Sequence, residues 1–533
     1  MNKCLIGLIG FISLSGLEIL GCQSSAEREP LCPAELTEIQ TVQWENESMS
    51  EPVDVAQASK QATLAIDDTN AMSVPITLEQ VRAAALANNL NLKVDLMDPD
   101  ISLKTLQAEQ AKFEASVTGD VDTGYTEALG SGAVSKDWYT EMGVVKPLAT
   151  GGRVIASMPM GDSDPGGLAS ASASVTVMQS LLRGAGTGIN TQSIRIAEYH
   201  WQSVSAQTKL RAINLLANAD IAYWRLYAAQ MDLALTHEQY KLAQDQLDHA
   251  RKKVRAGASA RIEIVRAEAG LSSRLESVIN AETTVEYYAR NLKAIMNRPD
   301  LPIDSSINLT LVTEPHPLGL TLDEQSLFAL AVKRRMDMKM VELSMQEDEL
   351  NVAAARNAVL PDVTLSYSYT ARTQGPSVRD AMEGFSGQTY DDHALGLSVV
   401  IPVGNQAAKA RLRRAKLSQL QGKLLKKALS QEIQQEVVEA AAQLDRNWRR
   451  ILAAEQGVIA AQRDYDVDQS QFKLGRRNST DVLYSAARLG SAESSRIQAF
   501  VDYEIAQINL ARVTGTLLGR DCIQLASSES LVP

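Results

Sequence analysis

The chain has 533 residues; 45% are hydrophobic, 5% are aromatic, and the formal net charge is −12 at pH 7. That length holds several ordinary domains, and the acidic balance excludes a general nucleic-acid binder. Ala, Leu, Gln, Glu, Lys and Arg dominate the middle of the chain, a composition of long helices rather than of a compact catalytic core.

The amino terminus reads as an export signal. Lys3 is followed by an apolar run from Cys4 to Leu17, then by Glu18 and Ile19-Leu20-Gly21-Cys22. The run is short for a membrane span. The last four residues resemble a bacterial lipobox, which implies a signal peptide over 1–21, cleavage before Cys22, and acylation of the Cys22 thiol (palmitate) and new amino terminus. Residues 22–72 are polar and aperiodic and read as a tether. Export permits a disulfide between Cys32 and Cys522, and the sequence leaves that pairing open.

A first repeat is expected over 73–299. Thr77 with Gln80 forms a capping box, and Leu78, Val81, Ala85 and Leu86 share a face of a helix of about 38 residues. Over about 115–180 the period changes to two. Val117, Val121 and Tyr125 oppose Thr118, Asp120 and Asp122; Ala171, Ala173, Val175 and Val177 alternate with Ser172, Ser174 and Thr176. Residues 138–160 add an irregular hairpin, which caps the outer mouth, extends a strand or adds strands to the wall. Arg183-Gly184-Ala185-Gly186-Thr187-Gly188 has dinucleotide-like glycines, but the helix after it is far too long for a βαβ unit. The glycines read instead as a backbone turn from strand to helix. A helical hairpin follows over 190–297, with a rising arm of about 70 residues, or about 100 Å.

After an inter-repeat segment, 300–319, the pattern recurs over 320–518. Thr321-Leu322-Asp323 opens a second helix, Val363 to Thr370 and Leu395 to Ile401 alternate over about 361–402, and a second hairpin runs from 405 to 515. Setting Gly257 on Gly475 aligns the falling arms without a gap, with Glu263 on Asp481, Leu271 on Leu489 and Asn291 on Asn509. A register held over some 40 residues is duplication. Residues 519–533 close the chain. Strands with one apolar and one hydroxyl-rich face, beside an export signal, fit a membrane barrel better than a sandwich. Four such strands per chain cannot close a barrel, since small membrane barrels start near eight. Three chains supply twelve strands and, with four rods each, twelve helices. The fold class is therefore mainly α with membrane β.

These segments resemble the TolC family of outer-membrane efflux proteins, in its lipid-anchored branch, over about 75–518. The marks are Leu78 through Ala87 and its repeat Leu322 through Ala331; Leu360-Pro361; Gln179 through Gly184; Ile401-Pro402-Val403-Gly404; and Gly475 followed by Asp481-Val482-Leu483. The resemblance implies a homotrimer whose twelve-stranded barrel in outer-membrane lipid continues into a periplasmic α-helical barrel. Residues 300–319 and the carboxyl-terminal segment fit a belt around the helices. The implied role is a passive exit duct of a tripartite efflux or type I secretion system. Its partners are a periplasmic adaptor (membrane fusion protein) and an inner-membrane RND or ABC transporter. A pore for metal-ion export shares the fold. The rival reading is a periplasmic adaptor lipoprotein without a pore; the strands placed between the helices of both repeats weigh against it.

No catalytic constellation, cofactor motif or metal-ligand spacing stands out: the five histidines are scattered, and GxSxG, HExxH and P-loop patterns are missing. The resemblance instead points to the hairpin tips. It implies a periplasmic gate at Phe472, Arg477, Asp481 and Tyr484, and adaptor contacts at Gly257, Ser259, Glu263, Gly475 and Val482. Phe472 stands where the family carries an aromatic hydroxyl and Tyr484 where it carries a second acid. Arg477 and Asp481, four apart, also fit an ordinary helix pair.

Overall fold

The computed structural model describes residues 73–520 apart from 128–133, 165–167, 258–259, 321, 388, 475 and 478. The expected signal peptide, the tether, Cys22, Cys32, Cys522, Ser259 and Gly475 lie outside the described residues.

Strand β1 (Ser73–Ile76) leads into α1 (Leu78–Asn88), α2 (Leu90–Asp95) and α3 (Asp98–Gln110). Strands β2 (Ser116–Glu127), β3 (Val134–Pro147), β4 (Gly152–Asp164) and β5 (Ala169–Ser180) follow, then the first hairpin, α4 (Gln192–Arg255) and α5 (Ile262–Met296). After β6 (Asn308–Leu311) the second repeat runs through α6 (Glu324–Arg334), α7 (Met336–Asn357), β7 (Asp362–Gly375), α8 (Val378–Glu383) and β8 (Tyr390–Val400). It ends in the second hairpin, α9 (Gln406–Lys473) and α10 (Ser479–Val513). The rising arms contain 64 and 68 residues, about 95–100 Å of helix. Asn297 and Asn405 mark hairpin ends in the left-handed region, at φ 45° and 48°, a conformation Asn tolerates better than most residues.

The capping box forms: the Thr77 hydroxyl accepts from Gln80 N, and Gln80 Oε1 accepts from Thr77 N. The single helix of about 38 residues expected after it does not form. Asn89 takes an extended conformation, and its carboxamide oxygen accepts from Leu92 N at 3.0 Å, so one helix ends and α2 begins. Pro99 then sits in the first turn of α3, where its missing N–H costs nothing. In the second repeat, Arg335 is extended at ψ 135° and separates α6 from α7. Its guanidinium bonds Asp337 at 2.6 Å and also Glu436 on α9. Burial opposes the Arg335 charge, but the two carboxylates prevail and raise its pKa.

One core serves both repeats near β1. Ile76 and Val81 pack with Leu216, Tyr223 and Leu226 of α4, Leu292 and Met296 of α5, Leu309 of β6 and Ile508 of α10. Leu216, Leu226 and Leu292 are fully buried, each stabilising by about 1.5–3 kcal/mol. β1 pairs with β6 in parallel, Ser73 opposite Asn308. The segment after β6 is held to the rods by hydroxyls. Tyr223 accepts from Thr313 N at 2.9 Å, and Tyr503 donates to Leu318 O. Lys293 Nζ donates to Ser305 O at 2.8 Å; burial and then Arg290 lower its pKa against the pull of Asp304.

The large sheet has six antiparallel strands in the order β2-β3-β4-β5-β7-β8, not the four expected. The irregular hairpin over 138–160 is β3–β4, and it pairs on both sides, with β2 and with β5. Trp138, Met142 and Val144 on β3, and Val154, Ala156, Met158 and Met160 on β4, fall on the apolar face of their neighbours, although Gly143, Pro159 and Gly161 blur the alternation between faces. Val117, Val121, Leu395 and Leu397 project from one face and are 63–76% exposed in the single chain, an apolar surface of the kind that marks a protein or membrane contact. The other face carries mostly Ser, Thr, Asp and Glu side chains, with Val145, Ile155 and Met178 among them toward the helical end.

Candidate functional site

Two places combine unusual exposure with built geometry: the junctions where strands become helices, and the hairpin tips. At the junctions the chain turns through Gly184 (φ 77°) and Gly186 (φ 93°), so the glycine run is a backbone turn. Asn190 Nδ2 donates to both of their carbonyls at 2.8 Å. Arg183 Nη2 meets Asp362 Oδ2 at 2.6 Å, and Gly184 N donates to Asn357 Oδ1 at 2.8 Å, which ties the first repeat's junction to the second's. Asn405 Nδ2 bonds Val359 O at 2.9 Å on the other side. The strands are thereby held at fixed positions on the helices.

At the tips, the first hairpin ends on Gly257 at φ 71°, with open space where a Cβ would lie. Gly257 N donates to Val254 O at 3.0 Å, a helix end that favours glycine. Glu263 accepts from Arg266 Nη1 at 3.0 Å on the same helix. Val482, expected at the docking surface, is 4% exposed. It packs inside the helices and presents no side chain outward, because the residue after Asp481 starts the buried face of α10.

Arg477 lies between two acids. Its Nη1 is 3.7 Å from Asp481 Oδ2, and its Nε is 3.5 Å from Asp468 Oδ1. Asp468, on the rising arm, is the nearer and the better buried of the two, and sequence spacing did not bring it forward. Phe472 has a partner as well: Lys253 Nζ of the first hairpin stands 3.8 Å from its ring centroid. The ring that cannot donate a hydrogen bond accepts a cation on its face and links the two hairpins. Tyr484 is 68% exposed and stands apart from these pairs. The tips are also basic, with Arg251, Lys252, Lys253, Arg255, Arg261 and Arg266 on one and Lys473, Arg476 and Arg477 on the other. Among the described residues no helix is long and apolar enough to cross a membrane, and no group of His, Cys, Asp or Glu is placed to hold a metal ion.

A family model described as outer membrane efflux protein matches residues 327–516, the second repeat. Over 348 residues the chain is 23% identical to outer membrane protein TolC of Escherichia coli strain K12, covering 62% of this chain and 69% of that one. Among solved structures it is similar to the open state of the Neisseria gonorrhoeae MtrE outer membrane channel, with a TM-score of 0.60 and 20% identity over 84% of this chain and 91% of that one. The Campylobacter jejuni CmeC outer membrane channel superposes with a TM-score of 0.63 at 14% identity, over 83% of this chain and 86% of that one. The duplicated hairpins, the two-faced sheet between them and these likenesses agree: the second repeat matches the outer membrane efflux protein family, and the chain as a whole is similar in sequence and fold to outer-membrane efflux channels of the TolC type.

Proposed function

We propose that three copies of this chain assemble into a passive exit duct, gated at the helical tips, for an efflux or type I secretion system. The observation that carries this reading is the sheet. One face is apolar and exposed, the other is lined mostly by hydroxyls and acids, and both edge strands, β2 and β8, lack a partner among the described residues. Six strands are too few to close a membrane barrel, whose smallest examples have about eight. Further copies of the chain satisfy the edges and place water inside and lipid outside. A pore-less adaptor has no use for such a surface.

The duct supplies no energy. An inner-membrane RND or ABC transporter drives export, and a periplasmic adaptor docks at the hairpin tips through Gly257 and Glu263, with Ser259 and Gly475 as further contacts, where the basic residues suit an acidic partner. The channel's own contribution is the closed–open equilibrium of the tip, shifted by whatever binds the open form better. Arg477 with Asp468 and Asp481, and Lys253 with Phe472, hold the closed form. Cys22 anchors the amino terminus to lipid. Single-channel recording of the purified protein in a planar bilayer tests the reading. Discrete conductance steps are expected, with the open fraction raised in Asp481→Ala. No steps in either protein refute the duct; steps with an unchanged open fraction in Asp481→Ala and in Asp468→Ala refute the gate alone.

A further inference from the structure

The hairpin β3–β4 has no counterpart in the second repeat, yet it lies inside the sheet. Cross-strand partners show how closely it is matched. On the apolar face the register runs Val117, Val144, Ala156, Val175 and Tyr369 through five strands, and the neighbouring Tyr367 carries that face on to Leu395. On the opposite face it runs Thr118, Gly143, Ser157, Ser174, Thr370 and Asp392. A slip of one residue anywhere in the hairpin would exchange its two faces. Instead Met142 and Met158 fall with the apolar set and Glu141 with the polar set. Ser157 and Ser174 share a hydroxyl bond of 2.9 Å on the polar side. The hairpin strands have 14 and 13 residues, more than the roughly 9–11 that a tilted membrane strand needs.

Its ends match as well. The turn over 148–151 lies at the edge of the sheet where strands pass into helices. Gly186 N donates to Thr150 O at 2.9 Å, and a Cβ on Gly151 would stand 2.0 Å from Gly184 O. The hairpin is therefore neither a cap over the far rim nor a strand prolonged beyond it. Direction is preserved too: β2 leaves the helices and β8 returns to them, so β8 of one copy meets β2 of the next antiparallel. Inserting two strands keeps that alternation, whereas inserting one would break it.

We infer that the membrane wall of the assembled channel has eighteen strands, six from each of three chains, with β3–β4 facing lipid through Met142, Val144 and Met158. This rests on the trimeric duct proposed above. Barrel diameter grows roughly linearly with strand number, so the wall is about half as wide again as a twelve-stranded one. The helical tips, not the membrane section, then set the largest solute that passes.

Spin labels on Met158→Cys, Met142→Cys and Leu395→Cys, each in a Cys32→Ser, Cys522→Ser background and reconstituted in bilayers, test this. Collision with oxygen and with a water-soluble nickel chelate reports lipid or water. All three sites are expected to favour oxygen, with ratios within about threefold of one another. Oxygen preference at Leu395 with nickel preference at Met142 and Met158 overturns the eighteen-stranded wall and leaves the duct standing. Nickel preference at all three overturns the duct itself. If the labelled variants fail to assemble, imaging of the unaltered protein in nanodiscs decides the matter: eighteen crossing strands are expected, and twelve refute the inference.

Discussion

The contact between Lys253 and Phe472 joins the two hairpins of one chain at the tip that, in the gate proposed above, parts when the duct opens. With Nζ 3.8 Å from the ring centroid, such a pair at a partly exposed site stabilises by about 0.5–1 kcal/mol. Three copies parting together amount to about 1.5–3 kcal/mol, and each 1.4 kcal/mol is about tenfold in an equilibrium. Phe472→Leu, which keeps an apolar side chain and removes the ring, is therefore expected to raise the open-to-closed ratio roughly ten- to hundredfold in single-channel records. If the three tips part independently, the effect per tip shrinks to roughly two- to fivefold. Lys253→Met should act alike, and Lys253→Met with Phe472→Leu should add little to either alone, since both remove one interaction. Phe472→Tyr should leave gating unchanged. An unaltered ratio in both single variants, or fully additive effects in the double variant, would refute the reasoning.

Asp220 is fully buried and accepts two bonds of 2.8 Å from Arg82, which fastens α1 to α4. Asp220→Ala removes two charge-assisted bonds from a largely buried guanidinium and is expected to destabilise by about 3–5 kcal/mol, read as a lowered urea midpoint of the helical circular dichroism; an unchanged midpoint contradicts the assignment. Gly151→Ala, at φ 90°, costs about 1–2 kcal/mol from backbone conformation alone and must also displace Gly184 O. It should lower the recovery of assembled protein, while Gly119→Ala, with open space at its Cβ, should not. Cys22→Ser should abolish incorporation of labelled palmitate, and label retained in that variant would show that the lipobox reading is mistaken.

What the sequence disclosed is what leaves a short-range mark. The alternation through Val363 to Thr370, the capping box at Thr77 and the turn glycine Gly257 each act over a few residues, and each formed. The helix break at Asn89 was foreshadowed by Asn88-Asn89 inside an apolar pattern, because an Asn side chain offers a helix start as readily as a turn. Other features depend on contacts that no periodicity records. β1 and β6 are four residues each and pair across more than two hundred residues of chain. Lys253 and Asp468 lie on rising arms and reach Phe472 and Arg477 across a hairpin or a turn, whereas spacing reveals only partners on the same helix. The hairpin β3–β4 was seen, but Gly143, Pro159 and Gly161 blur its alternation. Only its pairing on both sides shows that it is wall.

In the proposed duct, the edges β2 and β8, which have no partner among the described residues, are completed by other copies of the same chain. Native mass spectrometry of the protein extracted from membranes in mild detergent addresses this most directly. A single species of three times the mass of the processed chain is the expected result. A stable species of one chain, soluble with its apolar sheet face covered by its own residues, would contradict it.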